Sequence, residues 1–285
     1  MKKMSNYKRV IAVLIVFISL VAVVRIFKSN NSSNSGSKKI YYALGDAVVT
    51  GRGLDPANTS DVCGRTGLSY PNVLATALDI SLENMSCSGA RVDEGILNEE
   101  VQTSGKQKAQ LDQMFEKTRP DLISITVGVN SFPLLADFKK CRTENCDISN
   151  SAEVLKGLTV QYKTILDKIK AHYDGKQPLT IVTGYYQIIP KTNNGCAELV
   201  GFDSTEIASW RQRTKDLNDT ISNVAKEYSF VKYVDVDFSD HELCTIQPWL
   251  QTFTESAPLL PTALGSQVIA KAVGTVVVNY ARSKN

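Results

Sequence analysis

Histidine is scarce in this sequence: only His172 and His241 among 285 residues. Zinc sites draw on Cys and His at short spacing. The one close pair of candidate ligands, Cys141 and Cys146, has neither histidine near it in sequence. No metal and no other cofactor is expected. Internal repeats and a long low-complexity tail are also missing. With 43% hydrophobic and 21% charged residues, the chain has an ordinary globular composition and material for one core of α/β size.

Acidic residues are absent from the first 39 positions, which hold eight of the 32 Lys and Arg. The formal net charge of +3 therefore comes from this end. Residues 40–285 carry 24 basic against 29 acidic residues, a net of −5. The basic surplus is a topology signal rather than a nucleic-acid footprint, and nucleic acid is not expected as a partner.

Val10 to Val24 contains a single polar residue, Ser19, and Arg25, Ile26 and Phe27 lengthen the run. It then reaches about the minimum of ~17 residues that span a bilayer, and Arg25 is near enough to the end to snorkel. Lys2, Lys3, Lys8 and Arg9 favour a cytoplasmic N-terminus, although Arg25, Lys28, Lys38 and Lys39 weaken the bias. No small-x-small cleavage motif follows closely. Residues 1–28 are expected to be a cytoplasmic stub and uncleaved signal anchor of a single-pass protein in the cell membrane. Secretion after signal cleavage is the alternative. Residues 29–38, opening with SNNSSNSGS, are too polar to bury and read as a flexible linker with a reach of roughly 15–18 Å. The extracytoplasmic domain is 39–285.

All six cysteines, Cys63, Cys87, Cys141, Cys146, Cys196 and Cys244, lie in that domain. An even count behind an export signal argues for three disulfides, for which fifteen pairings exist. Full pairing leaves no thiol nucleophile.

Hydrophobic pattern places strands at 40–45, 80–85, 122–127, 179–184 and 231–236, most of them short and rich in Ile and Val, as strands buried on both faces are. Helices are expected at 72–78, at 107–117 before Arg119-Pro120, at 153–172, at 206–228 and at 263–280. The third carries Leu155, Leu158, Tyr162, Ile165, Leu166 and Ile169 on one face. The fourth carries Ile207, Trp210, Thr214, Leu217, Ile221, Val224 and Tyr228. Pro133 and a small Cys141–Cys146 ring would make 131–152 an irregular insertion. The strand–helix alternation predicts an α/β fold, a doubly wound parallel five-stranded sheet in a flavodoxin-like three-layer α/β/α arrangement. Ligands of such sheets sit beyond the carboxyl ends of the strands.

Four loops lie in those places: Gly45-Asp46-Ala47, Cys87-Ser88-Gly89-Ala90, Gly128-Val129-Asn130-Ser131, and Ala257 to Gly265 before the last helix. Alone, each is ordinary turn chemistry. Together and in order they resemble the SGNH, or GDSL, hydrolases over nearly the whole domain. The resemblance implies the SGNH hydrolase fold. It places the serine nucleophile at Ala47, oxyanion donors at the Gly89 N–H, the Asn130 side chain and the Ala47 N–H, the base at Leu260 and the acid at Ala257. Ser131 stands where the family's Gly-x-Asn-Asp block ends in aspartate. Cys63-Gly64-Arg65, Ser69-Tyr70-Pro71, Ser86 to Ala90, and His241 to Cys244 with Trp249 are similar to the secreted lipase and esterase branch. That branch implies the pairs Cys63–Cys87, Cys141–Cys146 and Cys196–Cys244. In it a backbone carbonyl often replaces the acid, so Ala257 matters least.

Serine hydrolysis needs a hydroxyl, an imidazole and oxyanion donors. Here Ala47 has no hydroxyl and Leu260 no proton-accepting nitrogen. His241 reads as part of a disulfide loop and His172 as a helix end. The expected function is a catalytically inactive domain that binds an acyl, acetyl or carboxylate ligand in the old pocket, with a protein partner in the envelope as a further possibility. One alternative is an active carboxylesterase, lipase or acetyl-esterase with a rewired site, for which Thr50 and Ser88 are the nearest hydroxyls. The other is an envelope scaffold without a small-molecule ligand.

Overall fold

The computed structural model describes residues 37–55, 61–102, 105–143, 151–193 and 195–284. The expected anchor, most of the linker and Cys146 lie outside the described residues. Among those residues no helix is long and apolar enough to cross a membrane.

The elements run β1 (Ile40–Gly45), α1 (Ala47–Thr50), α2 (Tyr70–Leu78), β2 (Ser81–Asn84), β3 (Glu100–Gln102), β4 (Gly105–Gln107), α3 (Gln110–Phe115), β5 (Leu122–Thr126), α4 (Leu134–Cys141), α5 (Ser151–His172), β6 (Leu179–Thr183), α6 (Ser204–Lys226), β7 (Val231–Val234) and α7 (Ala263–Ser283). Five of the strands form one sheet in the order β2-β1-β5-β6-β7, and every pairing is parallel. The expected α/β sheet is therefore present. The three inner strands are buried almost throughout, while the edge strands β2 and β7 are partly exposed. That difference follows from helices covering the sheet on both faces. The long helices pack in pairs, α2 with α7 and α5 with α6. The core-facing stripes of α5 and α6 are the expected ones, apart from Leu155, which is only partly buried, Tyr228, which is partly buried and lies just beyond the end of α6, and Arg213 and Ala225, which join the buried set.

The strand interior is less apolar than its sequence pattern implies. Ser124, Thr126 and Thr183 are buried, and their hydroxyls bond within the core. Tyr41 meets Ser124 at 2.6 Å, Tyr70 meets Thr126 at 3.0 Å, and Thr126 meets Thr183 at 2.7 Å. Such groups are tolerated in a core because each finds a partner.

Two expectations need correction. The helix expected at 107–117 begins only at Gln110, because Gly105–Gln107 pairs antiparallel with Glu100–Gln102. The insertion at 131–152 is not wholly irregular, since it contains α4. Pro133 is that helix's N-cap, where a missing N–H is harmless, and Leu134 and Phe138 bury its inner face.

The chain leaves β1 toward β2 on one side and returns to β5 on the other. Strand order thus reverses at β1, and the crevice lies above the carboxyl ends of β1 and β5. Ala47 follows the first of these strands and Asn130 follows the second.

Candidate functional site

Gly45 ends β1 at φ +146°, and a Cβ there would stand 2.1 Å from the Thr126 carbonyl oxygen. Only glycine fits. Its N–H donates to Gln110 Oε1 at 2.7 Å, and its carbonyl accepts from Gln110 Nε2 at 3.0 Å and from the Cys87 N–H at 3.0 Å. The turn is therefore clamped on three sides before α1 begins.

Asp46 caps that helix: Oδ1 accepts the Val48 N–H at 2.9 Å. Oδ2 accepts the Tyr185 hydroxyl at 2.6 Å, and the same hydroxyl oxygen accepts the Val129 N–H at 3.4 Å. One buried chain of bonds thus joins the loop after β1 to the loops after β5 and β6. Burial outweighs these bonds and pushes the Asp46 carboxyl up to about 7. Burial, reinforced by the neighbouring Asp46 charge, raises the Tyr185 hydroxyl well above the usual phenol range.

Ala47 is the first residue of α1. Thr50, in the same helix, bonds Ser88 Oγ at 2.9 Å and donates to the Ala47 carbonyl at 3.2 Å. The Ser88 N–H donates to the Cys63 carbonyl at 2.9 Å, and Cys63 is disulfide-bonded to Cys87. These ties hold Gly89, at φ +100°, against the first loop. The third loop is bound to the second. Asn130 Nδ2 donates to the Ala90 carbonyl at 3.0 Å, Arg91 donates to the Asn130 carbonyl at 3.2 Å, and Ser131 Oγ accepts the Val92 N–H at 2.8 Å. The Ala47 and Gly89 N–H groups have no acceptor among the described residues, and Asn130 keeps one amide hydrogen beyond its bond to Ala90.

The fourth loop is shaped around Gln251, which is 2% exposed. Its Nε2 donates to the carbonyls of Arg52 and Pro261, each at 3.2 Å, and its Oε1 accepts the Ala257 N–H at 3.2 Å. Its backbone pairs with Leu259 and Leu260, both at 2.8 Å. Leu259 takes φ +73°, and its carbonyl accepts the Tyr186 hydroxyl at 2.9 Å. Gly53 meets this loop so closely that a Cβ would stand 2.5 Å from the Ala257 Cβ. Ala257 and Leu260, each 7% exposed, thus belong to a loop docked on the turn just after α1. Replacing Gln251 by Leu leaves three backbone groups without partners. We expect a loss of about 2–3 kcal/mol, read as a lower urea midpoint at unchanged slope. A change below ~0.5 kcal/mol, the range of an ordinary surface substitution, would mean that Gln251 does not hold the loop.

The histidines lie elsewhere. His241 stacks on Trp249 with ring centroids 3.7 Å apart, and its Nδ1 bonds the Gln247 carbonyl at 2.8 Å. His172 stacks on Phe115 at 4.1 Å at the end of α5. The hydroxyls of Thr50 and Ser88 face each other, and that of Thr50 also donates to the Ala47 carbonyl. Cys63–Cys87 and Cys196–Cys244 are bonded. Cys141 is also in a disulfide, its expected partner Cys146 lying outside the described residues. Such bonds persist in oxidising compartments.

Sequence reading missed Tyr185, Gln110 and Gln251. Tyr185 had a signal, for it follows the fourth strand of the sheet at the ligand end. The glutamines had none in local pattern.

A parallel sheet of this order, with a Gly-Asp turn after β1 tied to glycine and asparagine loops after β2 and β5, defines a three-layer α/β scaffold of the SGNH hydrolase type. The chain belongs to the GDSL-like lipase/acylhydrolase family, whose family model matches residues 43–268. It is 28% identical over 222 residues to a lipase of Streptomyces rimosus, covering 75% of this chain and 76% of that protein. The crystal structure of an extracellular lipase from Streptomyces rimosus superposes with a TM-score of 0.67 at 25% identity, over 85% of this chain and 99% of the other. A phospholipase A1 from Streptomyces albidoflavus shares the fold, with a TM-score of 0.61 at 21% identity, over 85% of this chain and 99% of that one.

Proposed function

We propose that this chain is a membrane-tethered, extracytoplasmic GDSL-family domain that has lost ester hydrolysis and binds an acyl, acetyl or carboxylate group in the former active site. The observation that carries this reading is a contrast within one site. The loops are clamped together and keep free donors at Ala47, Gly89 and Asn130, yet the positions that the family resemblance assigns to nucleophile and base hold alanine and leucine. Ala47 has no atom to attack with, and Leu260 none to take a proton. The donors need neither, since an N–H binds a carboxylate or carbonyl oxygen without turnover. That the similar proteins are named lipases supports an acyl-type ligand. The apolar run at residues 10–27 supports tethering, and the disulfides support an oxidising compartment.

The test is titration with acetate, butyrate and octanoate, followed by amide NMR shifts at Gly89 and the Asn130 side chain. Binding is expected, and Asn130→Ala should weaken it about tenfold or more, the ~1.5–3 kcal/mol of one hydrogen bond to a charged group. No response to any carboxylate, or equal binding by Asn130→Ala, would overturn the pocket reading. Rapid covalent labelling of the natural chain by a fluorophosphonate would instead identify an active serine hydrolase.

A further inference from the structure

The strands of the main sheet are parallel, so their amino ends share one face, opposite the candidate site. Ile40, Leu122 and Leu179 open their strands there and, with Leu78, Ile80 and Val277, line a hollow of about 290 Å³. A second hollow of about 480 Å³ adjoins it, bordered by Lys176, Lys232 and Phe230. Tyr280 and Lys284 belong to both. The chain leading back to residues 1–36 enters the domain at this point, since Lys39 and Ile40 lie on the rim of the first hollow.

The charge of this face departs from that of the domain. Residues 40–285 carry a net −5, yet here Lys39 and Lys284 border the apolar first hollow, and Lys176, Lys232 and Lys284 border the more polar second one. Two acids at this edge already have partners: Asp79 pairs with Lys38 at 2.7 Å on the surface, and Asp121 accepts the Ile40 N–H at 2.8 Å. Asp174, next to Gly175 of the second hollow, is exposed, so it offsets one of the five lysines Lys38, Lys39, Lys176, Lys232 and Lys284. Lys176 and Lys232 have no carboxylate partner among the described residues. The Lys284 ammonium lies 5.5 Å from the centre of the Tyr280 ring. Lysine beside an aromatic ring and a shallow apolar surface suits the headgroup region of a membrane.

We propose that this amino-edge face docks on the headgroups of an anionic phospholipid bilayer and holds the candidate site turned away from it. The proposal rests on the anchoring of residues 10–27. Nine residues separate Lys28 from Lys38, a span of at most roughly 36 Å at full extension. A domain of this length has a radius of gyration of roughly 18 Å. So short a connection keeps the entry face nearest the bilayer, where charge complementarity can act within the screening length.

The test uses the full chain in nanodiscs of phosphatidylcholine, with and without phosphatidylglycerol. Lysine reactivity toward an acetylating ester is read residue by residue by mass spectrometry. Lys176, Lys232 and Lys284 should react several-fold more slowly when phosphatidylglycerol is present and recover at high salt. Lys191, in the loop after β6 at the opposite end, should not change. The double variant Lys176→Glu/Lys232→Glu should lose the protection at Lys284. A chain that embeds but shows equal reactivity in both lipids overturns the docking face and leaves anchoring intact. A chain that does not co-purify with the discs overturns anchoring, and this proposal with it.

Discussion

Ala47→Ser combined with Leu260→His is expected to turn the natural chain into an ester hydrolase, while either change alone is expected to do almost nothing. A serine at 47 would be the first residue of α1, on a turn already clamped by Gln110 and capped by Asp46. A histidine at 260 would sit in the loop that Gln251 docks on the turn after α1. Nucleophile and base act as a unit: the hydroxyl attacks only as the imidazole takes its proton. Their effects are therefore far from additive. On an activated short-chain ester, the double variant should exceed the natural chain by at least ~10³, and each single variant by less than ~10-fold, given that a complete triad contributes about 10⁶ in kcat. The Ala257 carbonyl, which already accepts the Leu260 N–H at 3.2 Å, lies beside the new base as a candidate to orient it. Hydrolysis by the natural chain at the rate of the double variant would show that nucleophile and base lie elsewhere. An inert double variant that binds carboxylates normally would mean that residues 47 and 260 no longer face one another.

Asp46→Asn is expected to raise stability at neutral pH and to flatten its dependence on pH. The folded protein holds the Asp46 proton up to about 7 against an ordinary 3.8, with burial the largest cause. A carboxyl raised on folding contributes stability that is fully present below its unfolded value of 3.8. That contribution is lost as pH rises through about 7. The full span corresponds to up to about 4 kcal/mol. Asparagine is neutral, keeps an acceptor for the Val48 N–H and carries no ionisation penalty above pH 7; its NH2 cannot accept the Tyr185 O–H, a loss of about 1–3 kcal/mol that is smaller than the penalty removed. Urea midpoints from pH 4 to 8 should fall for the natural chain and stay nearly level for the variant. Parallel profiles would mean that the bonds from Tyr185 and Val48 offset burial and that Asp46 ionises normally.

The amino-acid sequence by itself determined which segments could be strands and helices. Runs such as Leu122–Thr126 and Leu179–Thr183 are apolar enough to be buried on both faces. The stripe from Leu158 to Ile169 repeats at the helical period whatever it packs against. Hydrophobic periodicity is a local property, legible before any fold exists. The same holds for the Gly-Asp turn, since a glycine before a capping aspartate is a statement about backbone angles within three residues. The order of the blocks then pointed to the family, and the absence of serine at 47 and histidine at 260 was visible directly.

Only the tertiary structure decided what holds those blocks together. Gln110 clamps Gly45 from 65 residues away, Tyr185 meets Asp46 across 139, and Gln251 reaches Arg52 across 199. A glutamine or tyrosine side chain has no periodic signature, and its hydrogen bond exists only where the path of the chain brings a partner within about 3 Å. The helix α4 behind Pro133 and the burial of Arg213 beside Asp137 at 2.7 Å are of the same kind. Each depends on the packing of distant segments, which local propensity does not contain. The pairing of Cys63 with Cys87 was legible only through the family resemblance, since a count of six cysteines leaves fifteen pairings open.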